Sequence, residues 1–226
     1  MRDDSYVKGH RERMRNKVDK FGCATLSDQE LLELLLYPLR PRIDTKPIAK
    51  ALLKEYGTLS TIIKSNDKID KQINGVGVET QRHFALISEM LDRLSFEKIK
   101  QGNIISNWQE LEYFCIQKLS HEPVENLMII LLDNQNRIIA IEKLGGGTVN
   151  QMMVYPREVL RIALANNAVN VIIVHNHPSG DKRPSRDDVE MTKTLQEALK
   201  SARINLHDHL IVAGGHCVSL RNLGLY

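Results

Sequence analysis

Val171 to Asp188 reads VIIVHNHPSGDKRPSRDD, and the architecture of the chain follows from how this stretch is read. Val171, Ile172, Ile173 and Val174, with Val169 just ahead of them, form a nearly continuous β-branched run, the pattern of a strand buried on both faces. Side chains alternate along a strand, so His175 and His177 share one face and Asn176 takes the other. Pro178, Ser179 and Gly180 turn the chain. Pro184 and Ser185 then open a helix, with Ser185 at the N-cap and Asp188 three residues on. Such a strand, turn and helix would bring the Asp188 carboxylate back towards both imidazoles. Two nitrogens and one oxygen leave a fourth position open, the layout of a catalytic zinc. Each part also has a plainer reading. Paired strand histidines serve packing in many proteins, and Ser185 with Asp188 satisfies the capping box S-x-x-[DE]. The four residues at fixed spacing carry more than either pair alone.

That constellation resembles the JAMM motif of MPN-domain metalloproteases. The wider run GGGTVNQMMVYPREVLRIALANNAVNVIIVHNHPSGDKRPSRDD, followed by Asp208-His209 within LHDHLIVA, is similar to the bacterial RadC family, and the likeness extends over nearly the whole chain. The resemblance implies an α/β fold with a mixed central sheet, a C-terminal MPN (cytidine-deaminase-like) domain over 103–226, behind a small helical domain over 1–98. It also implies one zinc ion per chain held by His175, His177 and Asp188, and a glutamate on an earlier strand as the general base. Glu125, heading ENLMIILLD, matches that position; Glu122 and Glu142 compete with it, and spacing alone does not choose. Ser185 is a suitable hydroxyl donor for a developing oxyanion. The reaction implied is peptide or isopeptide hydrolysis by a metal-activated water. The family is named for DNA repair, so the alternative is a DNA-binding protein whose metal domain is a nuclease or a non-catalytic scaffold. Phosphodiester cleavage favours two metals with several carboxylates, whereas this motif offers one carboxylate and two histidines.

Two further patterns bear on the site. Asp208 and His209 are read as outer-shell partners of the metal ligands, or more plainly as a hydrogen-bonded structural pair. The letters His175-Asn176-His177 spell HNH, but HNH nucleases draw those residues from separated positions. Gly145-Gly146-Gly147 lacks the following Lys-Ser/Thr of a P-loop and reads as a flexible turn near the site.

The composition bounds the alternatives. The net charge is +3, and residues 1–100 hold the basic excess, nineteen Lys/Arg against fifteen Asp/Glu. This is compatible with DNA as a partner and equally with an ordinary solvated surface. No apolar run approaches the roughly 20 residues that span a bilayer, and the polar start MRDDSYVKGHRERMRNK is no secretory signal. Cys23, Cys115 and Cys217 are far apart, which fits a reducing cytoplasm and excludes a zinc deaminase needing P-C-x-x-C.

The first half reads as helices. A charged one starts near His10. Ser27 and Glu30 form a capping box ahead of Leu31 to Leu36. Thr45 to Tyr56 is amphipathic and stopped by Gly57, and Leu59 to Ser65 is short. Ile73-Asn74-Gly75-Val76-Gly77, leading into Glu79 to Leu94, resembles a helix-hairpin-helix in which Gly75 and Gly77 would expose amides to a DNA phosphate. Gln81 and Glu79 depart from the usual hairpin pattern, and a tight turn is the plainer reading. Glu97 to Gly102 reads as a charged boundary. Beyond it come a helix over Asn107 to Leu119, a hairpin of Asn126 to Asp133 with Arg137 to Leu144, a helix from Pro156, the histidine strand, a helix over Ser185 to Ala202, and strands over Leu206 to Ala213 and His216 to Leu220.

Overall fold

The β-branched run of Val171 to Val174 lies in the middle strand of a five-stranded mixed sheet. The computed structural model describes residues 4–65, 73–100, 102–104, 106–146 and 155–226. Its strands are β1 (Asn126–Leu132), β2 (Ile138–Gly146), β3 (Asn170–Asn176), β4 (Asn205–Ala213) and β5 (His216–Ser219), arranged β2-β1-β3-β4-β5. β1 is antiparallel to both β2 and β3, β3 and β4 are parallel, and β4 and β5 are antiparallel. The parallel pair requires a crossover, supplied by α8 (Arg186–Ser201). The β1–β2 turn closes through Asp133, whose carboxylate accepts the amides of Gln135 and Arg137 at 2.8 and 2.9 Å.

Alternation sorts the apolar residues into two layers. Met128, Ile130, Ile172, Val174, Leu210 and Val212 face Leu111, Phe114, Cys115 and Leu119 of α6 (Trp108–Leu119). Leu127, Ile129, Leu131, Val171 and Ile173 face α7 (Pro156–Ala165) and α8 through Val159, Ile162, Leu195 and Leu199. Burial of each such side chain contributes about 1.5–3 kcal/mol, so the sheet is fixed from both sides. Val169 falls outside β3 and is 42% exposed. Gly145 and Gly146 continue β2 instead of forming the expected turn; Gly147 lies outside the described residues.

The chain divides into two compact units, 1–91 and 92–226. The first contains α1 (Asp4–Phe21), α2 (Asp28–Leu36), α3 (Lys46–Tyr56), α4 (Leu59–Lys64) and most of α5 (Val78–Lys100). Its core joins Leu32, Leu36, Ile48, Leu52, Ile62 and Phe84. The Ser27 capping box of α2 forms as expected, with the Glu30 amide 3.3 Å from Ser27 Oγ and the Ser27 amide 2.9 Å from the Glu30 carboxylate. Arg11 of α1 is buried and donates to the carbonyls of Arg40, Pro41 and Ile43 beyond α2. α5 outlasts the predicted helix, which ended at Leu94. Its last turns belong to the second unit, where Ile99 is fully buried beside Ile104 and Asp92 pairs with Lys118 at 2.8 Å. Among the described residues, no helix is long and apolar enough to cross a membrane.

Candidate metal centre

β3 delivers the first histidine. His175 is opposite Leu127 of β1 and Ile211 of β4, and it shares the α8-facing side of the sheet with Ile173. His177 follows the strand end, where its amide donates to Val212 O at 2.9 Å. The chain then turns tightly, with Gly180 N donating to His177 O at 3.0 Å and Gly180 at φ +79°. A left-handed φ there strains any side chain, which is the physical reason for glycine. The turn sets the second imidazole: His177 Nδ1 lies 2.8 Å from the Asp181 carbonyl. A carbonyl only accepts, so Nδ1 carries a proton and Nε2 is the nitrogen that faces inward.

α8 delivers the carboxylate. Ser185 caps the helix, accepting the Asp188 amide at 3.1 Å, while Asp188 Oδ2 accepts the Ser185 amide and hydroxyl, each at 2.7 Å. The same carboxylate places Oδ1 3.1 Å from His175 Nε2 and Oδ2 3.3 Å from His177 Nε2, and the two Nε2 atoms are 2.9 Å apart. The capping box therefore forms, and the same cap aims the carboxylate at both imidazoles.

The electrostatics agree with the geometry. Burial pushes the Asp188 carboxyl up, but hydrogen bonds from His175, His177 and Ser185 outweigh it and hold the group well below the usual carboxylate range. The Asp188 hydrogen bond raises His177 against its burial, helped by the Asp181 carbonyl and by the charges of Asp188 and Glu125. Two imidazole nitrogens and a carboxylate converging in this way form a donor set that lacks a positive charge. Among the described residues, His175, His177 and Asp188 are the group suited to a metal, and N,N,O donors of this kind suit zinc.

The remaining candidates fall around this cluster. His209 is fully buried, with Nε2 2.8 Å from His175 Nδ1 and Nδ1 2.6 Å from Thr192 Oγ1. Burial, then the neighbouring His175, pushes its ring well below the ordinary histidine value. Asp208 is directed elsewhere: its carboxylate accepts the Ser219 hydroxyl at 2.6 Å and the His209 backbone amide at 2.7 Å, with the Tyr226 hydroxyl at 3.4 Å. It does not hold the His209 ring.

Of the three glutamates, Glu125 precedes β1, and extending the Leu127–His175 register by two residues sets it opposite His177. It is exposed, and its charge acts on His177. Glu122 is drawn away by Lys143 at 2.9 Å, and Glu142 sits farther along β2, opposite Ile129. Two residues escaped the sequence reading. Asn176 accepts the Asn126 amide at 2.8 Å and donates to the carbonyls of Glu122 and Val124 at 3.2 and 3.1 Å, pinning the segment that carries Glu125. Thr192 lies four residues beyond Asp188, a helical spacing that could have drawn attention to it.

In the N-terminal unit, Gly75 has φ +91°, and a Cβ there would sit 2.4 Å from Ile48 Cδ1. Its carbonyl accepts from Arg40 Nε at 2.9 Å. Gly77 has no such constraint; a Cβ there would meet Arg40 Nη2 at 3.6 Å.

A mixed sheet between helices, with His-x-His at one strand end and a carboxylate from the next helix, defines a JAB/MPN-type domain. A family model described as RadC-like JAB domain matches residues 105–225. The chain is also 36% identical over 220 residues to the UPF0758 protein SPO0054 of Ruegeria pomeroyi, covering 97% of this chain and 98% of that protein. The chain belongs to the RadC family.

Proposed function

We propose that this chain is a zinc-dependent hydrolase of the JAMM metallopeptidase type, cleaving a peptide or isopeptide bond. The observation that carries the reading is the convergence of His175 Nε2, His177 Nε2 and the Asp188 carboxylate within 3.3 Å across each hydrogen-bonded pair. In this reading those three residues hold one zinc ion per chain. When bound, zinc supplies a Lewis acid that lowers the pKa of water from 15.7 to about 7.

The chain's own residues do the rest. Glu125, solvent-exposed and opposite His177, takes a proton from the attacking water and passes it to the leaving amine, a role typically contributing about 10²–10⁴-fold. Asn176 holds the backbone ahead of Glu125 in place. Ser185 presents a hydroxyl donor whose hydrogen now lies on Asp188 Oδ2; donation to a developing oxyanion requires that bond to be released. One carboxylate with two imidazoles supports a single-metal hydrolase of amides over a two-metal nuclease.

Elemental analysis tests the centre. Wild-type protein is expected to hold one zinc per chain, and His175→Ala and Asp188→Ala close to none. Glu125→Gln is expected to keep the metal and lose about 10²–10⁴-fold of hydrolysis on a panel of peptide- and isopeptide-linked fluorogenic substrates. Wild-type protein that takes up no zinc after incubation with the metal would overturn the reading.

A further inference from the structure

Thr192 is fully buried one helical turn beyond Asp188. Its hydroxyl lies 2.5 Å from the Asp188 carbonyl and 2.6 Å from His209 Nδ1. A hydroxyl has one hydrogen, and a carbonyl only accepts. The hydrogen therefore goes to Asp188 O, and the hydroxyl meets His209 Nδ1 with a lone pair, so Nδ1 must carry a proton. His209 is fully buried, and among the described residues neither ring nitrogen has a carboxylate partner. A second proton would leave an unpaired buried charge, which is costly. Nε2 is thus an acceptor, and its partner at 2.8 Å, His175 Nδ1, must be the donor. That leaves Nε2 as the His175 nitrogen directed at His177 Nε2 and Asp188.

We propose that Thr192 and His209 form a hydrogen-bond chain that fixes the tautomer of His175, making Thr192 a positioning residue of the metal centre. The metal-binding consequence rests on the zinc reading above. The two histidines reach the same tautomer by different routes. His177 is set by a loop carbonyl, that of Asp181. His175 is set through two buried side chains ending on the backbone of Asp188, the residue whose carboxylate it faces. The position of the first turn of α8 and the orientation of the strand ligand are thereby tied together. A threonine bonding to the carbonyl four residues back is common in helices; what distinguishes this one is the imidazole on its lone pair.

Nitrogen–proton correlation spectra of the imidazoles, recorded on the full-length metal-free protein at mildly alkaline pH, test the chain directly. His209 is expected to carry its proton on Nδ1 with Nε2 bare, and His175 to carry a proton on Nδ1. A proton on His209 Nε2, or a bare Nδ1 on His175, overturns the proposal, whatever the zinc result. Thr192→Val keeps the shape and removes the hydroxyl. It is expected to weaken zinc binding by about tenfold or more in competition with a chromophoric chelator, and Thr192→Ser to restore it. Unchanged affinity in folded Thr192→Val also overturns the proposal. Wild-type protein that shows these tautomers and binds no zinc would sustain the chain and remove the hydrolase reading instead.

Discussion

Asp188 caps α8 and converges on two imidazoles through one carboxylate, and single substitutions separate the cap from the proposed metal ligand. Ser185→Ala deletes the hydroxyl that accepts the Asp188 amide and donates to Oδ2. Loss of an N-cap of this kind costs about 1 kcal/mol, to be read as a lower urea midpoint of the metal-free protein. Zinc stoichiometry is expected to stay at one, because the hydroxyl is not among the converging donors; complete loss of zinc would make Ser185 part of the binding set. Asp188→Asn keeps an oxygen for the capping amide and removes the charge, so it is expected to abolish zinc uptake while the helix remains. The glycines of the N-terminal unit permit the same separation. Gly75→Ala forces φ +91° on a side chain and drives its Cβ to 2.4 Å from Ile48 Cδ1. That is expected to cost about 1–3 kcal/mol. Gly77→Ala meets only Arg40 at 3.6 Å and is expected to fall within about 0.5 kcal/mol of wild type. Thermal unfolding of the two variants side by side checks the contrast; equal losses would contradict the turn geometry given for Gly75.

At the scale of elements, α6 and β5 bring a buried thiol, Cys115, and a half-buried one, Cys217, to the sheet face opposite α8. Burial, with Glu112 and Asp208 nearby, pushes the Cys217 thiol up to about 12, and burial likewise raises Cys115. A folded value above the ordinary 9.0 favours the protonated form in the native state, so the stabilisation is complete below that pH and is lost as pH rises towards about 12. The denaturant midpoint is therefore expected to fall from about pH 9 upward, and Cys217→Val to flatten that slope, with Cys115 and the raised Tyr37 and Tyr226 hydroxyls contributing to the remainder; parallel slopes for the two proteins would contradict the burial argument. What could be read in the sequence at this scale was whatever depends on near neighbours in the chain. The β-branched run, the Ser185–Asp188 box and the His-x-His parity all follow from local periodicity, and they already assemble the three-donor cluster. What could not be read depends on register between distant elements. Only the Leu127–His175 pairing separates Glu125 from Glu122 and Glu142. Only the parallel placement of β4 beside β3 brings His209 under Thr192. Asp208 immediately precedes His209, which suggests a pair, yet from His209 its carboxylate accepts only the backbone amide, not the ring, and it turns to Ser219 of β5 and Tyr226. The charged stretch after Leu94 hid the one buried side chain, Ile99, that carries α5 into the core of the second unit.

For the whole molecule, the basic helical unit and the His175–His177–Asp188 cluster belong to different units, so a DNA-binding role has to rest on the helical unit's own charges. The surplus of cations is small: nineteen Lys/Arg against fifteen Asp/Glu in residues 1–100. Several of them are already engaged. Arg11 is spent on three backbone carbonyls, Lys17 on Glu30 at 2.8 Å, and Arg40 on the carbonyls of Leu39 and Gly75. At the start of α5, where a helix-hairpin-helix would present amides to a phosphate, Glu79 adds a negative charge, held beside Arg82. Phosphate binding releases counterions in proportion to the number of contacts, so few available cations mean low affinity and a shallow salt slope, with nothing beyond charge to hold the complex once salt screens it. The intact chain is accordingly expected to bind duplex DNA no better than about 10⁻⁴–10⁻⁶ M, the ordinary nonspecific range, and to lose that binding as salt rises. Fluorescence anisotropy of a labelled duplex across a salt series measures both quantities. Nanomolar binding that survives high salt would require a base-reading or shape-reading surface that these charges do not supply, and it would shift the emphasis from an amide hydrolase to a protein that acts on DNA.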